Sequence, residues 1–258
     1  MSRPRLTVTV LGSGTSHGIP MIACDCNVCT STDPRDQRTR PSIAVQYDDT
    51  TLLIDTAPEL RLQCVARDVR RVDAVLYTHH HIDHLAGLDD LRRFNWVQQA
   101  ALPCFGQPET LDRIRTMFAY VFKEETGYTS KPELTLHEID GPFEIGGRLI
   151  TPIPLLHGPM TVLGFRIDDF AYCTDVCEIP ETSWPLLAGL DVLILDALRK
   201  RPHPTHFNLE QAVDHAKHIG ARQTLFTHIA HDLGHEDTNR NLPPGMALTY
   251  DGQVIRTR

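Results

Sequence analysis

Thr78-His79-His80-His81-Ile82-Asp83-His84 follows an apolar run, Val72 to Tyr77, that reads as a β-strand. His79 and His81 lie two apart on an extended segment, so both imidazoles can point the same way. Asp83 and His84 fall on the following turn or helix start. There they can offer a carboxylate oxygen and an imidazole to a second point nearby. One short segment can thereby serve two metal ions, and Gly87 is expected to let the chain turn afterwards. Four imidazoles in six residues beside an apolar strand argue against a merely solvated loop.

Three later residues share this placement. His157 follows Pro152 to Leu156, Asp175 follows Phe170 to Thr174, and His228 follows Thr224 to Thr227. Side chains at strand ends can meet at one rim of a layered fold. Taken singly, each is more often a structural hydrogen-bonder than a ligand. A second cluster lies early in the chain, where Cys24, Cys26 and Cys29 fall within six residues. Thiolates so spaced can converge on one soft ion. The other cysteines, Cys64, Cys104, Cys173 and Cys177, are scattered, and seven is an odd number for a disulfide scaffold. Free thiols fit a reducing compartment.

The 258 residues carry 14 histidines, more than packing needs, and a net charge of −8, so no global positive field gathers nucleic acid or anionic lipid. The composition excludes a disordered chain, a collagen repeat and a long coiled coil. No apolar stretch approaches a membrane span, and the N-terminal run lacks the hydrophobic segment of a signal peptide. A cytoplasmic protein is expected, with no membrane partner; a homodimer is left open.

Leu6 to Leu11 reads as a strand entering the turn Gly12-Ser13-Gly14-Thr15. Ile43 to Tyr47 and Thr51 to Ile54 form a hairpin about Asp48-Asp49-Thr50. Helices are expected over Pro58 to Ala66, within Leu85 to Val97, over Glu109 to Tyr120, and over Asn208 to Ile219. The last has Asn208 as its cap and Gly220 as its stop. Leu134 to Ile139, Phe143 to Ile145 and Leu149 to Ile153 read as short strands broken by Gly and Pro. Val162 to Ile167, Phe170 to Cys173, Asp191 to Leu195 and Leu225 to Thr227 complete the strands. Many short strands with helices between some of them suggest a layered α+β or α/β fold in one domain, residues 1–258.

Asp55, the His79 to His84 run, His157, Asp175 and His228 occur in the order and approximate spacing of the metallo-β-lactamase fold superfamily, which the chain resembles from Leu6 to at least His231. The resemblance implies an α+β, four-layer αββα sandwich with a dinuclear site along one edge. It also implies that His79, His81 and His157 bind one metal, that Asp83, His84 and His228 bind the other, and that Asp175 bridges them. Asp55 would steady the histidine-rich loop. His80 has no implied role. Such ligands suit Zn²⁺ or Mn²⁺. Two such ions activate a water and stabilise the attacked and leaving oxygens.

The run Gly12 to Pro20 followed by the three-cysteine loop resembles the branch of cyclic ribose-phosphate phosphodiesterases. That likeness implies a structural Zn²⁺ on Cys24, Cys26, Cys29 and His231, with His235 competing as fourth ligand. His206 resembles the histidine that phosphodiesterases of this superfamily place beside the leaving oxygen; His203 is its rival, and Asp196 could orient a metal ligand or His206. The glycine loop lacks the Lys of a P-loop and is expected to let the strand pass close to the metal rim. The expected function is a metal-dependent phosphodiesterase acting on a small nucleotide or cyclic sugar phosphate, with His206, Asp83 and Asp175 catalytic. Stable tRNA binding is not expected, because Phe118 to Lys131 offers only Lys123 and Lys131, balanced by Glu124 and Glu125. The alternatives are a tRNA 3′-end endonuclease, a thioester or lactone hydrolase of the glyoxalase II type, and a non-catalytic cofactor-biosynthesis accessory protein.

Overall fold

The first sheet is built from β1 (Thr7–Gly12), β2 (Ser42–Tyr47), β3 (Thr50–Ile54), β4 (Ala74–Leu76), β5 (Leu102–Gly106) and β6 (Leu134–Glu138). The second takes β7 (Phe143–Ile145), β8 (Arg148–His157), β9 (Met160–Ile167), β10 (Phe170–Cys173), β11 (Val192–Asp196), β12 (Gln223–Thr227) and β13 (Met246–Leu248). The last strand, β14 (Val254–Arg256), returns to the outer edge of the first sheet, giving orders β14-β1-β2-β3-β4-β5-β6 and β13-β12-β11-β10-β9-β8-β7. This computed structural model describes residues 5–123 and 130–258. Glu124 and Glu125 of the 118–131 stretch lie outside the described residues.

The alternation of side chains across each strand explains the layering. On β11, Val192 and Ile194 face the core between the sheets, while Leu193 and Leu195 face outward. On β4, Ala74 and Leu76 face inward and Val75 faces outward. Outside the first sheet lie α1 (Leu60–Ala66), the single turn α2 (Ile82–Leu85), α3 (Arg92–Gln98) and α4 (Pro108–Met117), packing Leu60, Leu85, Phe94, Leu111 and Ile114 against it. Outside the second sheet, α5 (Leu209–Ile219) packs Ala212 and Ala216. Asn208 and Gln211 exchange side-chain-to-backbone hydrogen bonds at its start, and Gly220 ends it at φ 70°. The four layers are the αββα sandwich. Among the described residues, no helix is long and apolar enough to cross a membrane.

Two local readings need correction. Leu149 to Ile153 is not a strand broken by proline: β8 runs through Pro152 and Pro154 to His157. The Leu156 N–H donates to Glu178 on the edge away from β9. Pro152 and Pro154 share its parity, so their missing N–H groups fall on that edge, beyond the reach of β7. Gly87, likewise, is not a turn residue. It sits in the 3₁₀ segment Ala86–Leu91, where a Cβ would lie 2.0 Å from the Ala57 carbonyl oxygen. It lets the segment after the histidines press against the end of β3. The 85–97 stretch is consequently divided among α2, this 3₁₀ segment and α3.

β3 to β6 run parallel, as do β10 to β13. Their carboxyl ends gather along one rim, where ligand sites form in such sheets. Leu163 donates to the Thr78 carbonyl at 2.9 Å, joining the two sheets there. Asp55, Asp175 and His228 each follow a strand with φ of 66°, 56° and 60°. Left-handed backbone at three non-glycine residues is costly, and it clusters where geometry is imposed by neighbours.

Gly87→Ala is expected to lower stability by about 1–3 kcal/mol, because the new methyl group meets backbone rather than a side chain able to move. Urea unfolding measures it, and a loss below about 0.5 kcal/mol would mean that the two segments part freely.

Candidate metal centre

His79 and His81 stand on the extended segment after β4, with ring centroids 4.5 Å apart, and His157 ends β8. Together with Asp175 they offer ligand atoms all within 4.8 Å of one another. Asp83 and His84 on α2 meet His228, which follows β12, in a second such group. The Nε2 of His84 and that of His228 each lie 3.5 Å from Asp83 Oδ2. Asp175 stands between the groups. Its Oδ1 is 3.9 Å from His79 Nε2 and 3.4 Å from His228 Nε2, and its Oδ2 is 3.2 Å from His84 Nε2. His80 is half-buried and belongs to neither group.

Three of the rings are held through Nδ1. His84 Nδ1 meets Asp55 Oδ2 at 2.6 Å, and His157 Nδ1 donates to the Thr205 carbonyl at 2.7 Å. His79 Nδ1 lies 3.0 Å from Thr78 Oγ1. Each contact turns Nε2 toward the rim, as in histidines that hold metals. Nε2 of His79, His84 and His228 is buried without a hydrogen-bond partner. Buried polar atoms normally have one, so this donor set fits divalent cations. Electrostatics agree. Burial pushes His79 well below the ordinary imidazole range, keeping it neutral with a lone pair to give. Burial also opposes charge on His84 and Asp175. For His84 the carboxylates of Asp175, Asp55 and Asp83 outweigh it and hold the ring up; for Asp175, His228 and His84 hold the carboxyl down. The buried carboxylates call for positive charge among them.

His206 stands beside these groups and forms a further cluster with Asp175 and His228. Its ring stacks on His228 at 4.7 Å and stands edge-on to His157 at 4.5 Å. Its Nε2 is 3.9 Å from Asp175 Oδ1. Asp196, the last residue of β11, accepts from His206 Nδ1 at 2.8 Å and from the Val176 N–H at 3.1 Å. Burial alone would lower the His206 pKa, but the Asp196 carboxylate prevails and holds it up at about 9. Asp196 also lies 4.0 Å from His228 Nδ1.

The cysteine loop closes on the late histidine. His231 Nδ1 lies 3.2, 3.4 and 3.8 Å from the sulfurs of Cys24, Cys26 and Cys29. A Cys₃His group of this kind suits Zn²⁺ in a closed site. The Cys29 N–H donates to Cys26 Sγ and helps hold that thiol down at about 7, whereas burial pushes Cys29 up to about 11. A bound cation would favour the thiolate form of all three. His235 lies outside this group: its backbone N–H donates to Asp36 Oδ1, and its buried ring stands edge-on to Tyr250. The glycine loop passes along the same rim, with Gly14 bridging to Ile229 and the Thr15 N–H donating to the Ile229 carbonyl.

The sequence profile described as the beta-lactamase superfamily domain matches residues 50–229. The chain belongs to this superfamily. A solved structure described as a new diphosphatase from the PhnP family is 43% identical, with TM-score 0.92 over 98% of this chain and 97% of that one. An octanoyltransferase of Porphyromonas gingivalis is 36% identical over 248 residues, covering 94% of this chain. The chain spans about half the length of that relative, 50%. A ribonuclease Z of a Mycobacterium species is 27% identical over 227 residues, covering 76% of this chain and 79% of that protein. The fold of this superfamily member is the metallo-β-lactamase fold.

The rim thus gathers His79, His81, Asp83, His84, His157, Asp175, His206 and His228, and the opposite end of the glycine loop gathers Cys24, Cys26, Cys29 and His231. Thr205 escaped the sequence reading. Its part is played by a backbone carbonyl, which any residue would supply.

Cys26→Ala is expected to lose one metal equivalent and to melt several degrees lower, while His235→Ala keeps the full complement. Elemental analysis and thermal melts check both; equal metal loss in the two variants would contradict the assignment of His231.

Proposed function

We propose that this superfamily member is a two-metal phosphodiesterase that hydrolyses small nucleotide or cyclic sugar phosphates, working as one domain over residues 1–258. His79, His81 and His157 would hold one ion, Asp83, His84 and His228 the other, and Asp175 both, with Zn²⁺ or Mn²⁺ suited to these donors. The ions supply an activated water and neutralise charge on the phosphoryl oxygens. Asp83 and Asp175 offer acceptor oxygens for the protons of that water. His206 donates from Nε2 to the departing oxygen, and Asp196, bonded to Nδ1, favours the charged ring that makes such donation effective.

The observation that carries this reading is His206, an imidazole held by Asp196 with its Nε2 facing Asp175. The likeness to a diphosphatase across nearly the whole chain supports chemistry at phosphorus. Small substrates are favoured over folded RNA because the chain is acidic, at −8, where a phosphate backbone calls for compensating cations. The free, buried thiols of Cys64, Cys104 and Cys173 suit a reducing, cytoplasmic setting.

Turnover on an aryl phosphodiester, 2′,3′-cyclic nucleotides, cyclic ribose phosphates, a dinucleoside diphosphate, a tRNA precursor and a glutathione thioester, with Zn²⁺- and Mn²⁺-loaded protein, tests the assignment. Small phosphodiesters should be preferred; fast thioester cleavage without phosphodiester turnover, or site-specific tRNA cleavage, would replace it. His206→Ala is expected to keep its metals and lose roughly 10²–10⁴ in turnover. Asp175→Ala is expected to lose metal and activity together. Matching metal depletion in both variants would show that His206 is a ligand instead.

A further inference from the structure

Beside His206 stands a second imidazole with the opposite proton demand. His203 lies half-buried between Pro202 and Pro204, its ring 5.1 Å from that of His206. The peptide N–H of Thr205 meets His203 Nδ1 at 3.3 Å, and the Thr205 hydroxyl meets it at 3.2 Å. A peptide N–H can only donate, so Nδ1 accepts and the ring proton sits on Nε2. Among the described residues, Nε2 has no hydrogen-bond partner. His206 differs, because its Nδ1 donates to the Asp196 carboxylate at 2.8 Å. One ring is thus held by an acceptor at Nδ1 and its neighbour by donors at Nδ1, which leaves the proton of the second on Nε2.

The segment carrying His203 is rigid and tied to the metal rim. Two prolines fix φ on either side of it, and the residue before a proline is kept extended. The Thr205 carbonyl holds His157 at 2.7 Å. A Cβ on Gly158 would lie 2.8 Å from Thr205 Cγ2, so the loop is seated directly on the residue after His157. Thr205 therefore orients a rim histidine through its carbonyl and His203 through its N–H and hydroxyl.

We propose that His203 is a second substrate-contacting imidazole, donating from Nε2 to an oxygen of the leaving group, with Thr205 as its positioning residue. The proposal rests on the phosphodiesterase reading. It makes an oxygen-bearing leaving group, a sugar or a phosphate, preferable to a plain aryl one, since only the former presents an acceptor next to the bridging atom.

The test uses metal-loaded full-length protein and the fastest sugar or nucleotide diester of the panel, with the aryl diester alongside. His203→Ala should raise KM for the first by roughly 5- to 10-fold where the acceptor is a sugar oxygen and by roughly 10- to 100-fold where it is a phosphate oxygen, the values of a neutral and of a charge-assisted hydrogen bond. It should leave kcat, metal content and KM for the aryl diester within about threefold. His203→Gln, whose amide can donate from the place of the ring Nε2, should recover most of the loss. Thr205→Val should raise KM less, and not further in the His203→Ala background. Nitrogen-15 NMR should show His203 neutral with its proton on Nε2, whatever the activity. An unchanged KM in His203→Ala beside an active wild type, metal loss in that variant, or a ring proton on Nδ1 would each overturn the proposal while leaving the phosphodiesterase reading intact. A wild type inactive on every diester would overturn that reading first.

Discussion

The Asp55 carboxylate is wholly buried, and both its oxygens are committed. Oδ1 accepts from the Thr78 N–H at 2.8 Å; Oδ2 accepts from the Thr78 hydroxyl at 2.8 Å and meets His84 Nδ1 at 2.6 Å. A buried carboxylate missing any of these partners would carry a penalty of several kcal/mol. Satisfied, it fixes the end of β4 against the end of β3 and sets the plane of the His84 ring. The neighbouring backbone completes the lock, since the Thr56 N–H donates to the His84 carbonyl and the Gly87 N–H to that of Thr56. The histidine-rich segment is therefore folded back on the first sheet before any ion is considered.

The same economy runs through the rest of the rim. Asp196 does for His206 what Asp55 does for His84, and a main-chain carbonyl does it for His157. In these three imidazoles Nδ1 is tied down so that Nε2 is aimed. The left-handed backbone at Asp55, Asp175 and His228 belongs to this arrangement, because the strand ends must turn sharply to bring their side chains over the rim.

The histidine-rich run was legible because its members lie within six residues and follow an apolar strand, so sequence proximity stood in for spatial proximity. His157, Asp175 and His228 were legible as strand ends and, through the family resemblance, as one set. What escaped was set by distant partners. Nothing local shows that Pro152 and Pro154 face an edge that asks for no N–H, or that Gly87 meets a carbonyl from residue 57. β5, β13 and β14 are three to five residues long and owe their existence to the strands beside them. The choice between His231 and His235 was open in sequence, because it depends on which ring the fold brings beside the three sulfurs, and it is His231 whose Nδ1 lies 3.2 Å from Cys24 Sγ.

The meeting of Cys24 and His231 across 207 positions has a consequence for how the chain is made. The first half of the sequence supplies nearly all of the first sheet, yet that sheet receives its edge strand from residues 254–256, and Leu6 is bonded to Thr257 across 251 positions. Contacts so remote form late in folding, after their loop-closure entropy has been met. On the ribosome, the nascent first sheet has β1 as an open edge and three unligated thiols beside it, a site for wrong pairing. Imidazole and edge strand both come from beyond residue 230. The group of Cys24, Cys26, Cys29 and His231 thus draws on both halves of the fold, and a translation product ending before residue 231 could not complete it.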